Sequence, residues 1–177
     1  MAPEGALRAS KEALEALDPA RYALSGKARE DALGTLSDLE YKVTQQGEDE
    51  APYTGKYLDT KTAGVYVDRV TGAPLFLSSD KFDSGCGWPS FTKPIDRSVL
   101  SKIPDNRGGR RLIEVVSKAG GTRLGHVFGD GPKESGGLRY CINSAALRFV
   151  PYADLDKEGL GALKEFFGGP ADGQGEH

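Results

Sequence analysis

The stretch Val65-Tyr66-Val67-Asp68, followed by Thr71-Gly72 and then Leu75-Phe76-Leu77, decides the fold class. Two short runs of β-branched and aromatic residues, joined by a few residues that include a glycine, predict a β-hairpin. Further along, residues 112–116 (Leu-Ile-Glu-Val-Val) predict a strand that Gly120-Gly121 ends. Residues 124–128 predict a short extended segment, and residues 138–150 the longest strand of the chain. Before the hairpin the character differs, with frequent Ala and Glu and few β-branched residues. Ser10 is placed to cap a helix running to Leu17, which Asp18-Pro19 stops. Residues 29–39 carry Leu33, Leu36 and Leu39 at helical spacing and predict another. Residues 155–167 predict a last helix, and the Gly-rich polar end from Gly168 is expected to be disordered. Short strands punctuated by 24 glycines and 10 prolines argue for a mainly β, antiparallel domain with short peripheral helices, mostly N-terminal. The chain then divides into a helical extension (1–39), a β domain (40–152) and a C-terminal helix with its tail (153–177).

The composition narrows the function. A chain of 177 residues, 38% apolar and 28% charged, suits one soluble domain with a real core. A net charge of −3 gives no basic face for nucleic acid. No apolar run approaches the roughly 20 residues of a membrane helix, and Met1-Ala2-Pro3-Glu4-Gly5 does not begin a secretory leader. A cytoplasmic monomer is the expectation. Two cysteines are too few for a disulfide-built scaffold. They lie far apart with no Cys-x-x-Cys spacing, which argues against zinc. No phosphate-binding glycine loop occurs, so no cofactor is expected.

Three blocks hold the residues that carry chemistry. In the first, Gly85-Cys86-Gly87-Trp88-Pro89-Ser90-Phe91, glycines open the sulfur to close approach. Pro89 argues against a helix or central strand there. Trp88 reads either as core or as the wall of an apolar pocket, since an indole face suits a thioether or its S-methyl group. In the second block, His126 stands between Gly125 and the Gly129-Asp130-Gly131-Pro132 loop. A lone histidine is more often packed or on the surface than catalytic, but a Cys and a His from separate segments are the minimum for an activated thiol. In the third, Arg139, Cys141 and Asn143 share one face of the predicted strand. A guanidinium two residues from a thiol on that face favours the thiolate. On the strand alone, a small core residue is an equal reading of Cys141.

With these residues in place, the chain resembles the B-class methionine sulfoxide reductases, the peptide-methionine-R-sulfoxide reductases. The resemblance rests on Tyr41-Lys42-Val43-Thr44-Gln45, Gly64-Val65-Tyr66-Val67-Asp68, Gly72-Ala73-Pro74-Leu75-Phe76, Lys81-Phe82-Asp83-Ser84 running into the Cys86 block, Leu124-Gly125-His126-Val127-Phe128, Asp130-Gly131-Pro132 and Gly137-Leu138-Arg139-Tyr140-Cys141-Ile142-Asn143-Ser144-Ala145. It implies two small antiparallel sheets with peripheral helices. It also implies that Cys141 attacks the sulfoxide sulfur and becomes a sulfenic acid, that Cys86 condenses with it to a disulfide, and that thioredoxin reduces the disulfide. By the same resemblance His126 and Asn143 polarise or protonate the sulfoxide oxygen. Trp88 and Phe128 join the substrate-binding set, with Asp130 and Arg139 in its polar network. The implied substrates are oxidised proteins or peptides carrying methionine-R-sulfoxide, or the free amino acid, in repair of oxidative damage.

The chain departs from the pattern in two ways. Many family members bind zinc through two Cys-x-x-Cys pairs, and here the matching positions read Asp68, Thr71, Ser117 and Gly120. That places the chain in a zinc-less branch. Where the family commonly has a histidine three residues before His126, this chain has Arg123. On a regular strand the two would face opposite ways. A bulge at Gly125 would bring Arg123 into the substrate-binding set, and a solvated surface position is the alternative. A non-catalytic module that binds oxidised methionine, or a small redox sensor, with Cys86 and Cys141 as its switch, is a competing class, separated from an enzyme by turnover. A zinc-ribbon-like module is another, weakened by the missing ligands.

Overall fold

A computed structural model describes residues 9–168. The tail expected to be disordered falls almost wholly outside this range. Helix α1 (Lys11–Leu17) begins where the sequence places it: the Ser10 hydroxyl accepts a hydrogen bond from the Ala13 amide at 3.1 Å, and Asp18 ends the helix. The helix predicted over 29–39 is instead two, α2 (Gly26–Gly34) and α3 (Asp38–Gln45). The Ser37 hydroxyl accepts from the Glu40 amide while the Glu40 carboxylate accepts from the Ser37 amide. This reciprocal cap starts a new helix, so Leu33 and Leu39 lie on different helices. The helix predicted over 155–167 is replaced by 3-10 turns, Tyr152–Asp154 and Gly161–Phe167. Gly159 lies between them at φ +78°, a left-handed conformation that breaks an α-helix.

The strands are β1 (Gly64–Asp68), β2 (Pro74–Leu77), β3 (Lys81–Phe82), β4 (Ser90–Phe91), β5 (Leu100–Asp105), β6 (Leu112–Ser117), β7 (Arg123–Phe128), β8 (Arg139–Ile142) and β9 (Leu147–Pro151). They form two antiparallel sheets, one ordered β2-β1-β9 and the other β3-β4-β8-β7-β6-β5. The hairpin read from the sequence is β1-β2. The edge strand β5 carries Pro104, which only an edge tolerates.

Residues 138–150 are not one strand. The chain leaves the six-stranded sheet after Ile142, makes a 3-10 turn over Ser144–Ala146 and enters the other sheet as β9. The cause lies far away in sequence. The buried Glu50 carboxylate accepts from the amides of Ser144 at 3.0 Å and Ala145 at 2.9 Å. Satisfying two buried N–H groups at once stabilises the turn over a continued ladder. Between the sheets, Phe76 stacks on Phe91 at 4.4 Å and Tyr66 meets the edge of Phe91 at 5.2 Å, while within the three-stranded sheet Tyr66 packs on its cross-strand partner Phe149 at 4.8 Å. Each aromatic pair adds about 1 kcal/mol beyond its buried area. No helix of the described residues is long and apolar enough to cross a membrane.

Candidate active site

Strand pairing assembles the site. Cys141 on β8 lies opposite His126 on β7 and, on its other side, opposite Ser90 on β4. Ser90 directly follows the 83–89 loop, so β4 draws Cys86 toward Cys141. A Cβ on Gly125 would collide with the Cys141 carbonyl, so only glycine lets β7 come this close. The expected bulge is present: Val115 pairs with Gly125 and Val116 with Arg123, which leaves Leu124 as the extra residue.

The two sulfurs are 3.2 Å apart, and both thiols are free and partly buried. Their environments differ. Burial opposes ionisation of Cys86, but hydrogen bonds from Ser84, Ser90 and the Cys141 thiol outweigh it and bring the pKa down to about 7. Burial pushes Cys141 well above the usual thiol range, and the bond to Cys86 and its charge push the same way. The Arg139 guanidinium does favour the Cys141 thiolate, as the sequence predicts, but it is outweighed. In the pair, ionisation is therefore favoured at Cys86 over Cys141, across a sulfur–sulfur contact of 3.2 Å.

Beside Cys141 opens a cavity of about 240 Å³, walled by Trp88, Leu112 and Phe128, with His126 and Asn143 on its polar side. A larger cleft of about 640 Å³ beyond Arg123 contains no thiol, so size alone does not select the site. The indole Nε1 donates to the Glu50 carbonyl at 3.0 Å, which leaves the ring to form the wall. His126 Nε2 bonds the Asp105 carboxylate at 2.9 Å, and Arg107 holds that carboxylate well below its usual range with a bidentate bond. Asn143 lines the cavity, yet its amide is fully engaged. Nδ2 donates to Asp49 and to the Leu124 carbonyl, and Oδ1 accepts from the Glu50 amide. Its place is to hold the 48–50 loop, and it has no free donor for a sulfoxide oxygen.

Arg123 takes neither of the positions expected for it. The bulge turns it to the side of His126, but the guanidinium lies buried behind the cavity. It donates to Glu114 at 2.7 Å, to the Glu48 carbonyl at 2.7 Å and to Asp49 at 2.9 Å. It reaches the cavity only through Asp49, which lines it. Arg139 and Asp130 form a bidentate pair at 2.9 and 3.2 Å outside the cavity lining, with Asp130 mostly exposed. Arg139 touches the site by stacking 4.3 Å over the Phe128 ring. The sequence reading missed Asp49, Asp105, Arg110 and Leu112. Asp49 sits in a Glu-Asp-Glu run that reads as solvated charge, and its partners lie more than seventy residues away.

The zinc positions of the family meet in space but do not suit the metal. A Cβ on Gly120 would lie 2.6 Å from Thr71 Cγ2, so the 68–72 and 117–121 turns abut. They offer one carboxylate and the Ser117 and Thr122 hydroxyls, all buried, and Asp68 Oδ2 and both hydroxyls lack a hydrogen-bond partner. Zinc wants thiolate or imidazole, and neither is there. Asp105, Glu114 and His126 bring ligand atoms within 4.8 Å of one another, but Arg107 and Arg123 already occupy both carboxylates.

A small antiparallel β fold that brings two free thiols into contact beside an aromatic-walled cavity is built for thiol-dependent redox chemistry. Residues 36–151 match the family model of the SelR domain, and the chain belongs to that family, the methionine sulfoxide reductases of the B class. It is an oxidoreductase that reduces methionine sulfoxide.

Proposed function

We propose that the chain reduces the R epimer of methionine sulfoxide through a cycle of its two thiols, without zinc, in a reducing cytoplasm. The contact between Cys86 and Cys141 at the floor of the Trp88 cavity is the observation that carries this reading. The Cys141 proton passes along the existing hydrogen bond to the Cys86 thiolate as the Cys141 sulfur attacks the sulfoxide sulfur. The sulfoxide oxygen takes a proton from His126 or water, since Asn143 has no donor to spare. Oxygen ends on Cys141 as a sulfenic acid, and methionine leaves with the electron pair. The Cys86 sulfur then attacks the sulfenic acid, an S–S bond forms and water departs. Thioredoxin reduces the disulfide by exchange and restores both thiols.

Trp88 and His126 give the cavity its handedness. With the methyl group on the indole and the oxygen toward the imidazole, one arrangement of substituents at sulfur is accepted. Assaying the two separated epimers with and without thioredoxin tests the reading. Only the R epimer should turn over, and only with the reductant. Comparable rates on both epimers would remove it.

A further inference from the structure

Glycine flanks Cys86 on both sides, and glycine is the residue least able to fix its own backbone. Gly85 and Gly87 lie at φ +77° and +97°. Something outside the loop must therefore hold the Cys86 sulfur against Cys141, and the contacts point to one residue. The Tyr53 amide donates to the Gly87 carbonyl at 2.7 Å, and the Tyr53 hydroxyl donates to the Gly85 carbonyl at 2.7 Å. Both neighbours of Cys86 are thus gripped by Tyr53, one through its backbone and one through its side chain. The fit is close at Gly87, where a Cβ would lie 2.8 Å from Pro52 Cβ and 3.2 Å from Tyr53 Cε2. Tyr53 keeps this grip at φ +67°, and among the described residues it is the one residue other than glycine with a positive φ. A tyrosine is strained there, and such strain persists only where its surroundings impose it. Tyr53 is 67% exposed, so core packing does not impose it. The two carbonyls beside Cys86 do.

The grip is connected to the other cysteine. Glu50 is fastened to the chain just past the end of the Cys141 strand: its amide donates to Asn143, and its carboxylate accepts from the amides of Ser144 and Ala145. Residues 50–53 are therefore a strap between the two cysteine segments. The sulfurs it brings together are 3.2 Å apart, and a disulfide needs about 2.05 Å, so closing the bond asks little movement of either. We propose that Tyr53 is a positioning residue for the disulfide-forming step, holding Gly85 and Gly87 so that the Cys86 sulfur stays within reach of Cys141. In that step the Cys86 sulfur attacks the Cys141 sulfenic acid, the S–S bond forms, the S–O bond breaks, and the oxygen leaves as water with the Cys86 proton. Tyr53 does not line the cavity where the sulfoxide is seated. The inference rests on the two-thiol cycle proposed above.

The test is a single turnover of methionine-R-sulfoxide by the full chain without thioredoxin, with dimedone present to trap the sulfenic acid. Mass spectrometry reads the ratio of trapped Cys141 to Cys86–Cys141 disulfide, and methionine release counts the molecules that reacted. The ratio follows the fate of the sulfenic acid once formed, so a slower first step or a loss of folded protein does not move it. Trapping in the same variants carrying Cys86→Ser gives the dimedone rate alone, against which the ratio is scaled. Tyr53→Phe loses one hydrogen bond and should raise the ratio about fivefold. Tyr53→Gly is unstrained at this φ but has no side chain to grip with, and should raise the ratio about ten- to a hundredfold, the effect of a misplacement of about 1 Å. A ratio that does not move in Tyr53→Gly overturns the proposal while the two-thiol cycle stands. If the wild type releases no methionine, or releases it without forming the disulfide, both readings fall together.

Discussion

The 48–50 loop at the cavity and the paired 68–72 and 117–121 turns are held in different ways. The first is held from outside by side chains of three elements. Arg123 binds the Glu48 carbonyl and Asp49, Trp88 the Glu50 carbonyl, and Asn143 the Glu50 amide. The turns are held largely from within. Asp68 accepts from the amides of Val70 and Thr71, and Gly72 and Gly121 donate back to the carbonyls of Asp68 and Ser117. Outward they are tied by Arg29 to the Gly120 carbonyl, by Arg69 to Thr35 and Glu40, and by the Arg69 and Lys118 amides, which donate to the carbonyls of Ala146 and Val99. A region held from within keeps the effect of a side-chain change to itself. A region held by distant side chains passes it on to the elements that supply them. A change of side chain at the turns should therefore leave the cavity's shape in place.

The largest effect expected is at the cavity. Cys141→Ser should lower methionine formation at least about a thousandfold, because a hydroxyl lacks thiolate nucleophilicity. Its urea midpoint should stay near that of the wild type. Residual turnover within tenfold would move the chemistry elsewhere.

Cys86→Ser should still release about one equivalent of methionine per chain and then stop with thioredoxin. Full thioredoxin-dependent turnover would deny Cys86 its resolving role. The pH dependence of alkylation sharpens the point. In the wild type Cys86 should be labelled first, with a midpoint near pH 7, set by its hydrogen bonds. In Cys86→Ser the Cys141 midpoint should fall, since the bond and the charge that hold its proton are gone. A Cys141 midpoint that does not move would mean the two thiols are not coupled.

At the turns the balance should reverse. Asp68→Ala leaves two amides without their acceptor and should cost about 3 kcal/mol of stability by urea titration. Activity per folded molecule should stay within about twofold. A parallel loss of activity would show that the turns do shape the cavity.

The smallest effect is a slope. Burial raises the Glu50 pKa above its ordinary 4.5, against the two amide bonds that lower it. The folded state therefore holds that proton to higher pH than the unfolded chain. Its contribution is full below the unfolded value and is lost as pH rises through the folded one. Across that range the wild type should lose stability relative to Glu50→Gln, read as the difference in urea midpoints. Parallel curves would place Glu50 outside the titration.

Legibility followed the reach of each interaction. Ser10 and Asp18 cap a helix within three residues of themselves, and the sequence showed it. The β1-β2 hairpin closes over five residues and was equally plain. The break at Ser144 was hidden, because the apolar run of residues 138–150 looks continuous and the carboxylate that bends it is Glu50. At the site, the two cysteines and His126 stood out by residue type. Asp49 and Asp105 did not, since an acidic residue in a polar loop looks the same whether it meets water or a buried arginine. Arg123 was visible as a departure, but its depth was not.

Leu124 has one more consequence. A strand is a two-state counter, in which each residue reverses the side to which the next one points. The extra residue in β7 resets that counter between Arg123 and His126, so both side chains report to the same side of the sheet. Substitution at Leu124 leaves the count intact and alters only packing. Deletion changes the parity of everything upstream relative to everything downstream, and either the arginine or the histidine is then delivered to the apolar interior. β7 should accept many spellings at this position but only one length.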